Sequence, residues 1–141
     1  MNRKLTFEEK IYTYHIDFVG HVNNIIYIQW LENGRVKLLE AMGIPVTNLA
    51  VADGIVPVLT ETTISYKKPL FLNNTVTVEI WISKLNNASA IMNFQFLNEK
   101  KEVCAVAQQK GLFINRKTMR PVRLTEEYRS AFEKFLISDE K

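Results

Sequence analysis

A run of bulky apolar residues that no helix can hide on one side constrains most strongly what this chain folds into. The spacing predicts a helix from about Asn23 to Met42, stopped by Gly43 with Pro45 just beyond. Its first half sets Ile25, Ile26, Tyr27, Ile28, Trp30 and Leu31 on nearly every face, and a helix that is apolar all round is a buried one. Its second half is amphipathic, with Val36, Leu38, Leu39 and Met42 against Arg35, Lys37 and Glu40. Something must wrap the first half. Gly34 inside the helix costs about 1 kcal/mol relative to Ala, which points either to close packing against another backbone or to a tolerated surface glycine.

The wrapping layer is read from the remaining periodicity. Leu5 to Tyr14 and Ile55 to Lys67 read as strands, the second ending before Pro69. Thr75 to Ser83 alternates Val76, Val78, Ile80 and Ile82 on one face with Thr75, Thr77, Glu79, Trp81 and Ser83 on the other, the period of a half-buried strand. Ala90 to Leu97 and Val103 to Ile114 complete the set. Asn73-Asn74, Asn86-Asn87 and Asn98-Glu99-Lys100-Lys101 separate them, and Asn tolerates the left-handed backbone of tight turns. A last helix, about Thr125 to Ile137, begins with Thr125 as N-cap and Glu126 and Glu127 in its first turn, and turns Tyr128, Phe132, Phe135 and Leu136 to one face. The expectation is an α+β layer, one helix against a curved antiparallel sheet whose last four strands form a meander. It makes one domain over residues 1–141. One sheet leaves part of so apolar a helix uncovered, so at least a dimer is expected.

Composition excludes several classes. No apolar stretch is long enough to span a membrane and the N-terminus has no signal region, so a soluble cytoplasmic protein is expected. A single cysteine, Cys104, in a strand with no cationic neighbour reads as a core residue. Two histidines, His15 and His21, and one cysteine make no metal-ligand spacing. Five glycines form no dinucleotide or phosphate-loop fingerprint, and no Gly-x-Ser-x-Gly elbow is present. The net charge of +3 is mild. Basic residues gather at Lys67-Lys68 and at Arg116, Lys117, Arg120 and Arg123; without interleaved aromatics the second group does not suit nucleic acid. It is either a solvated loop or a docking surface for a ligand with phosphates, with Arg116 and Arg120 as its candidates.

Asp17-Phe18-Val19-Gly20-His21-Val22-Asn23-Asn24 carries the chemistry. It places a carboxylate, an imidazole and two amides where a helix begins, and the first turn of a helix offers unpaired N–H groups and the positive end of the dipole. A thiolate leaves with a conjugate-acid pKa of about 8.5, without obligatory protonation. A thioester therefore needs only a group that attacks or activates water and N–H donors for the oxyanion. Asp17 and the backbone N–H near Asn24 supply both.

The pattern Asp17-x-x-Gly20-His21-Val22-Asn23-Asn24-x-x-Tyr27-x-x-Trp30-x-Glu32, followed by Ile64-Ser65-Tyr66-x-x-Pro69, resembles the hotdog-fold thioesterases of the 4-hydroxybenzoyl-CoA thioesterase type and the acyl-carrier-protein thioesterases of the same fold. The likeness extends to Arg120-Pro121-Val122-Arg123-Leu124 before the last helix. It implies a curved antiparallel sheet of five to six strands wrapped around a long central helix. It also implies homodimers with active sites at the interface, often paired into homotetramers, and a place in fatty acid metabolism. By position, Asp17 matches the catalytic carboxylate, as nucleophile or general base, and Asn24 the residue whose backbone N–H polarises the thioester carbonyl. His21 and Asn23 match residues lining the entrance, with positioning roles. Glu61, Thr62 and Thr63 are expected to face the site across the dimer interface and hold a water. Val19 stands where plant carrier-protein thioesterases have Asn, and Asn73-Asn74 where Gly-Asp is common.

The reading is an acyl-CoA thioesterase with Asp17 as its carboxylate and no cofactor beyond the coenzyme A of the substrate. Rivals are a thioesterase for acyl carrier protein, a non-catalytic acyl-thioester binder and, with His21 as second acid–base group, a hydratase. Structural roles stand beside the chemical ones: Asp17 and Asn23 as caps, His15 and His21 as satisfied histidines, Tyr27 and Trp30 as core or interface packing before substrate contact, Glu32 with Arg35 as a helix ion pair.

Overall fold

The computed structural model describes residues 2–44 and 54–138. Strand β1 (Leu5–Lys10) leads through a 3-10 turn (Thr13–His15) to helix α1 (Asn24–Ala41). Strands β2 (Ile55–Tyr66), β3 (Thr75–Leu85), β4 (Ser89–Leu97) and β5 (Val103–Asn115) follow, and helix α2 (Glu126–Glu133) closes the chain. The strands form one antiparallel sheet in the order β1-β3-β4-β5-β2. The meander expected of four strands is thus confined to β3, β4 and β5. Residues 67–74 make no tight turn from β2 to β3, because they are bonded elsewhere: Leu70 O accepts from Val22 N–H and Asn73 N–H donates to Ile11 O. β1 takes the edge of β3 that a meander would have given to β2. As an edge strand, β2 tolerates Pro57.

Helix α1 begins and ends close to its sequence signals. Asn23 Oδ1 accepts the Ile25 N–H at 3.0 Å, and Gly43 takes the left-handed φ of +78° that favours glycine. Pro45 lies outside the described residues. The inner face of β3 supplies the floor of the core, with Val76, Val78, Ile80 and Ile82 fully buried, each contributing about 1.5–3 kcal/mol of transfer free energy. On the opposite face Trp81 is also buried, under the Lys4 ammonium 4.2 Å from its ring. Gly34 meets side chains, not backbone: a Cβ there would lie 3.0 Å from the Phe94 ring and 3.5 Å from Phe7.

Two boundaries differ from expectation by several residues, and one turn is built differently. The first strand ends at Lys10, because the chain then coils into the 3-10 turn, where Tyr12 N–H donates to His15 Nδ1 at 2.9 Å. The last helix ends at Glu133, and the segment after it bonds to the sheet, Ile82 N–H to Phe135 O and Ile137 N–H to Ile82 O. In the turn after β4 the positive φ falls on Lys101, while Asn98 acts through its side chain, accepting the N–H groups of Lys100 and Glu102. Among the described residues no helix is long and apolar enough to cross a membrane. Ile26, Tyr27, Trp30 and Leu31 are buried, but Ile25 is 64% and Ile28 47% exposed, so the sheet covers one side of the apolar half-helix and leaves the other open.

Candidate active site

The segment before α1 is a tight clasp. Ile16 bridges Val22, Asp17 N–H donates to His21 O at 2.9 Å, and Gly20 N–H donates to Asp17 O at 3.0 Å. Gly20 sits at φ +85°, which explains a glycine three residues after the aspartate. Within the turn Asp17 Oδ1 accepts the Val19 N–H at 3.0 Å, and Oδ2 has no partner among the described residues. Phe18 stands at the tip, 98% exposed.

At the helix start nearly every N–H is occupied. Val22 N–H bonds to Leu70 O, Asn23 N–H to His15 O at 2.8 Å, Ile25 N–H to the Asn23 side chain, and Ile26 N–H to Asn23 O. The N–H of Asn24 precedes the point where intrahelical acceptors begin, and no described residue accepts it. One donor is left over at the positive end of the helix dipole.

Asp17 and Asn24 both line one hollow of about 260 Å³, together with His21, Val22, Tyr27, Tyr66, Lys67, Lys68 and Pro69. Tyr27 forms its inner wall, its ring edge-to-face with those of Tyr66, Phe96 and Trp30 at 5.1, 5.2 and 5.6 Å. Burial pushes the Tyr27 phenol well above the ordinary tyrosine range, and burial also raises Tyr66, so both are hydrogen-bond donors at neutral pH. Lys68 is paired with Glu102, whose carboxyl is held below its ordinary range by hydrogen bonds from Lys68 and Asn98. Lys67 has no ion pair among the described residues. A carboxylate oxygen, an oriented N–H and a phenol around one hollow can activate or deliver a nucleophile and hold an oxyanion.

The sequence-predicted residues do not all gather at the hollow. Asp17, His21, Asn24 and Tyr27 line the hollow together. Asn23 serves as N-cap, and His21 packs edge-to-face on Phe71 at 5.3 Å while its backbone bridges the same residue. Thr62, on β2, bonds to Gln109, and Glu61, Thr62 and Thr63 are all exposed. Arg116 and Arg120 follow the far end of β5, on the order of 35 Å along the strand from Cys104, whose carbonyl accepts the N–H groups of Lys67 and Lys68. Tyr66, Lys67, Lys68 and Pro69 were not among the site residues predicted from the sequence, although Tyr66-x-x-Pro69 and the lysine pair were both visible in it. Cys104 is fully buried, and burial raises its thiol above the ordinary range, the condition of an inert cysteine. Among the described residues no group of three His, Cys, Asp or Glu stands close enough to hold a metal ion.

Comparison with known proteins gives this geometry a context. The family model described as the thioesterase-like superfamily matches residues 11–132. The chain is 30% identical over 134 residues to a chloroplastic acyl-acyl carrier protein thioesterase of Arabidopsis thaliana, covering 94% of this chain and 70% of that one. It is 29% identical over 128 residues to the long-chain acyl-CoA thioesterase FadM of Escherichia coli, covering 90% and 96% respectively. Its fold superposes on a DHNA-CoA thioesterase from Staphylococcus aureus with a TM-score of 0.84 at 22% identity, covering 93% of this chain and 89% of the other. It superposes on a second Staphylococcus aureus protein, solved in complex with CoA, with a TM-score of 0.89 at 14% identity, covering 100% and 90%.

Proposed function

The chain belongs to the thioesterase-like superfamily, and from that premise we propose that it hydrolyses an acyl-CoA to the free acid and CoA, with Asp17 as the catalytic carboxylate. One observation carries the reading: Asp17, with one carboxylate oxygen unpartnered among the described residues, and Asn24, with its N–H unpartnered among them, line the same hollow, while the N–H groups on both sides of Asn24 are consumed. The thioester carbonyl sits on the Asn24 N–H, which takes up the charge developing on its oxygen. Asp17 either removes a proton from the attacking water or attacks the carbonyl itself, and CoA leaves as the thiolate in both cases. His21 and Asn23 act as positioning residues, since one braces the loop against Phe71 and the other caps the helix. Lys67, which lines the hollow, receives the phosphates of CoA. The reaction draws on no cofactor, because the leaving thiolate needs neither a Lewis acid nor an obligatory proton.

The working unit we propose is a homodimer, further paired into a homotetramer. Its support is the exposed apolar set around the site, Phe18, Ile25, Ile28 and Phe71, together with the unpaired edge of β2. The proposed setting is the cytoplasm, where a buried thiol such as Cys104 stays reduced.

Free-thiol release from short, medium, long and aromatic acyl-CoAs, with Asp17→Asn beside wild type, tests the activity; full turnover by the variant removes Asp17 from the chemistry. In a single turnover in water enriched in heavy oxygen, unlabelled acid with label left on Asp17 would identify attack by Asp17 and opening of the resulting mixed anhydride by water at the Asp17 carbonyl; water attacking the acyl carbon gives labelled acid. The second reading, hydrolysis of acyl carrier protein thioesters, is favoured by the 30% identity to the chloroplastic relative. It would show as a higher kcat/KM for the same acyl chain presented on the carrier protein than on CoA.

A further inference from the structure

On the helix-facing side of β5, Ala105, Ala107, Gln109 and Gly111 follow one another, opposite Phe96, Phe94, Met92 and Ala90 of β4. Three of the four are the smallest side chains available; the fourth is a carboxamide. Gln109 is 2% exposed, the only polar side chain among the described residues that is buried to this degree. Its Nε2 donates to Thr62 Oγ1 at 3.2 Å, and its Oε1 has no hydrogen-bond partner among the described residues. A buried amide oxygen that has given up water without gaining a donor is disfavoured. Exchanging the two ends of the amide would leave a donor unpaired instead, so one end stays unsatisfied in either assignment.

The position of this amide relates it to the site. Along β2, Tyr66 pairs with Ala105, Thr62 with Gln109 and Leu59 with Gly111. Tyr66 lines the hollow that holds Asp17, whereas Leu59 and Gly111 line a separate apolar cavity of about 50 Å³ beneath Leu38 of α1. The hollow and the cavity thus lie towards opposite ends of one row of paired residues on β2 and β5, and Gln109 lines neither. Gln109 lies between them, four residues along β2 from Tyr66, or about 13 Å. An acyl chain following the row passes Gln109 near its middle. A saturated chain there would seal the free amide end from water and leave it unpaired, whereas a hydroxyl both donates and accepts and would satisfy either end.

We propose that Gln109, held in place by Thr62, reads a hydroxyl group on the middle of the acyl chain, so that the substrate class is a mid-chain hydroxyacyl thioester in preference to a plain alkanoyl one. This rests on the thioesterase reading above, and the test keeps the two apart. Calorimetric titration of Asp17→Asn protein with a long saturated acyl-CoA, its mid-chain hydroxy counterpart and its β-hydroxy isomer reads binding without turnover. Wild-type kcat/KM on the same three reads the reaction. The mid-chain hydroxy compound should be favoured about tenfold over both others in each measurement. Gln109→Leu, and Gln109→Met as a second variant, should abolish that preference and shift it toward the saturated chain, with the melting temperature held or raised because an unpaired buried group is removed. Thr62→Val should weaken the preference by freeing the amide. Equal binding of all three ligands, or a preference that survives in Gln109→Leu, would overturn the proposal. So would a loss of oligomer in Gln109→Leu with the preference intact, which would assign the amide's missing partner to a second copy of the chain. Binding preference without turnover in wild type would sink the hydrolase reading and leave this one standing; turnover without preference would do the reverse. Binding of none of the three would overturn both.

Discussion

Asp17 does two separable jobs with its two oxygens, and substitution can divide them. Oδ1 accepts the Val19 N–H at 3.0 Å and so closes the turn; Oδ2 is free for chemistry. Asp17→Asn keeps an oxygen for Val19 and replaces Oδ2 with an amide nitrogen that can neither take a proton nor attack a carbonyl. Loss of a positioned base costs about 10²–10⁴ in rate, or roughly 2.7–5.5 kcal/mol of barrier. Stability should move by less than about 0.5 kcal/mol, because the turn bond survives. Asp17→Ala removes both oxygens. The turn is half-exposed and water can reach Val19 N–H, so the added cost is about 1 kcal/mol, a fall in Tm of roughly 3 °C for a chain of this size. Thiol-release kinetics and thermal melts on the two variants make the comparison. Both should lose kcat with little change in KM, and only Asp17→Ala should melt early. Turnover by Asp17→Asn within tenfold of wild type would refute the chemical role, and an early melt of Asp17→Asn would refute the assignment of Oδ1 to the turn.

Four further substitutions probe the surroundings. Gly34→Ala gains about 1 kcal/mol of helix propensity but sets a Cβ 3.0 Å from the fully packed Phe94 ring, an overpacking cost of about 1–3 kcal/mol. The urea midpoint should fall, and a rise would show that the ring gives way. Lys67→Glu should raise KM for acyl-CoA several-fold at unchanged kcat while leaving an acyl-pantetheine substrate unaffected, and Arg120→Glu should change neither; the reverse pattern would move the phosphate site to the far end of β5. Tyr27 has a folded-state pKa raised by burial above its unfolded value near ~10, so its contribution to stability is complete below about pH 10 and is lost as pH rises toward the folded value. Tyr27→Phe should make the alkaline decline in urea-unfolding stability shallower, and an unchanged decline would show that other groups cause it.

The fold was legible where one residue type has one physical job. The left-handed stop at Gly43, the Asn23 cap, the Thr125 cap and the two-residue alternation of β3 all stand where the sequence places them, because each follows from local backbone chemistry. Strand order was not legible in the same way. Whether residues 67–74 turn tightly or reach across to the clasp is decided by partners far earlier in the chain, Val22 and Ile11, and no local signal records that choice. The neighbour of Gly34 was misread for a related reason. Periodicity says that something approaches closely, but only the register of β4 says that it is the Phe94 ring.

The site shows the same division between local and distant information. Asp17, Gly20, Asn23 and Asn24 form a continuous motif whose parts bond to one another, so its geometry was implicit in eight consecutive residues. Its opposite wall, Tyr66 to Pro69, reaches it only through long-range backbone pairing, Leu70 with Val22 and Phe71 with His21. That pairing accounts for a second motif far along the chain: it docks a tyrosine and a lysine pair on the first. Arg116 and Arg120 show the limit of charge read from sequence alone, for a basic cluster has an address only once the sheet is laid out, and the sheet puts it a strand's length from the unpaired carboxylate. Gln109 had no sequence signal because a lone glutamine on a strand is ordinary. What sets it apart is a missing hydrogen bond, which exists only once the helix and sheet have closed over it.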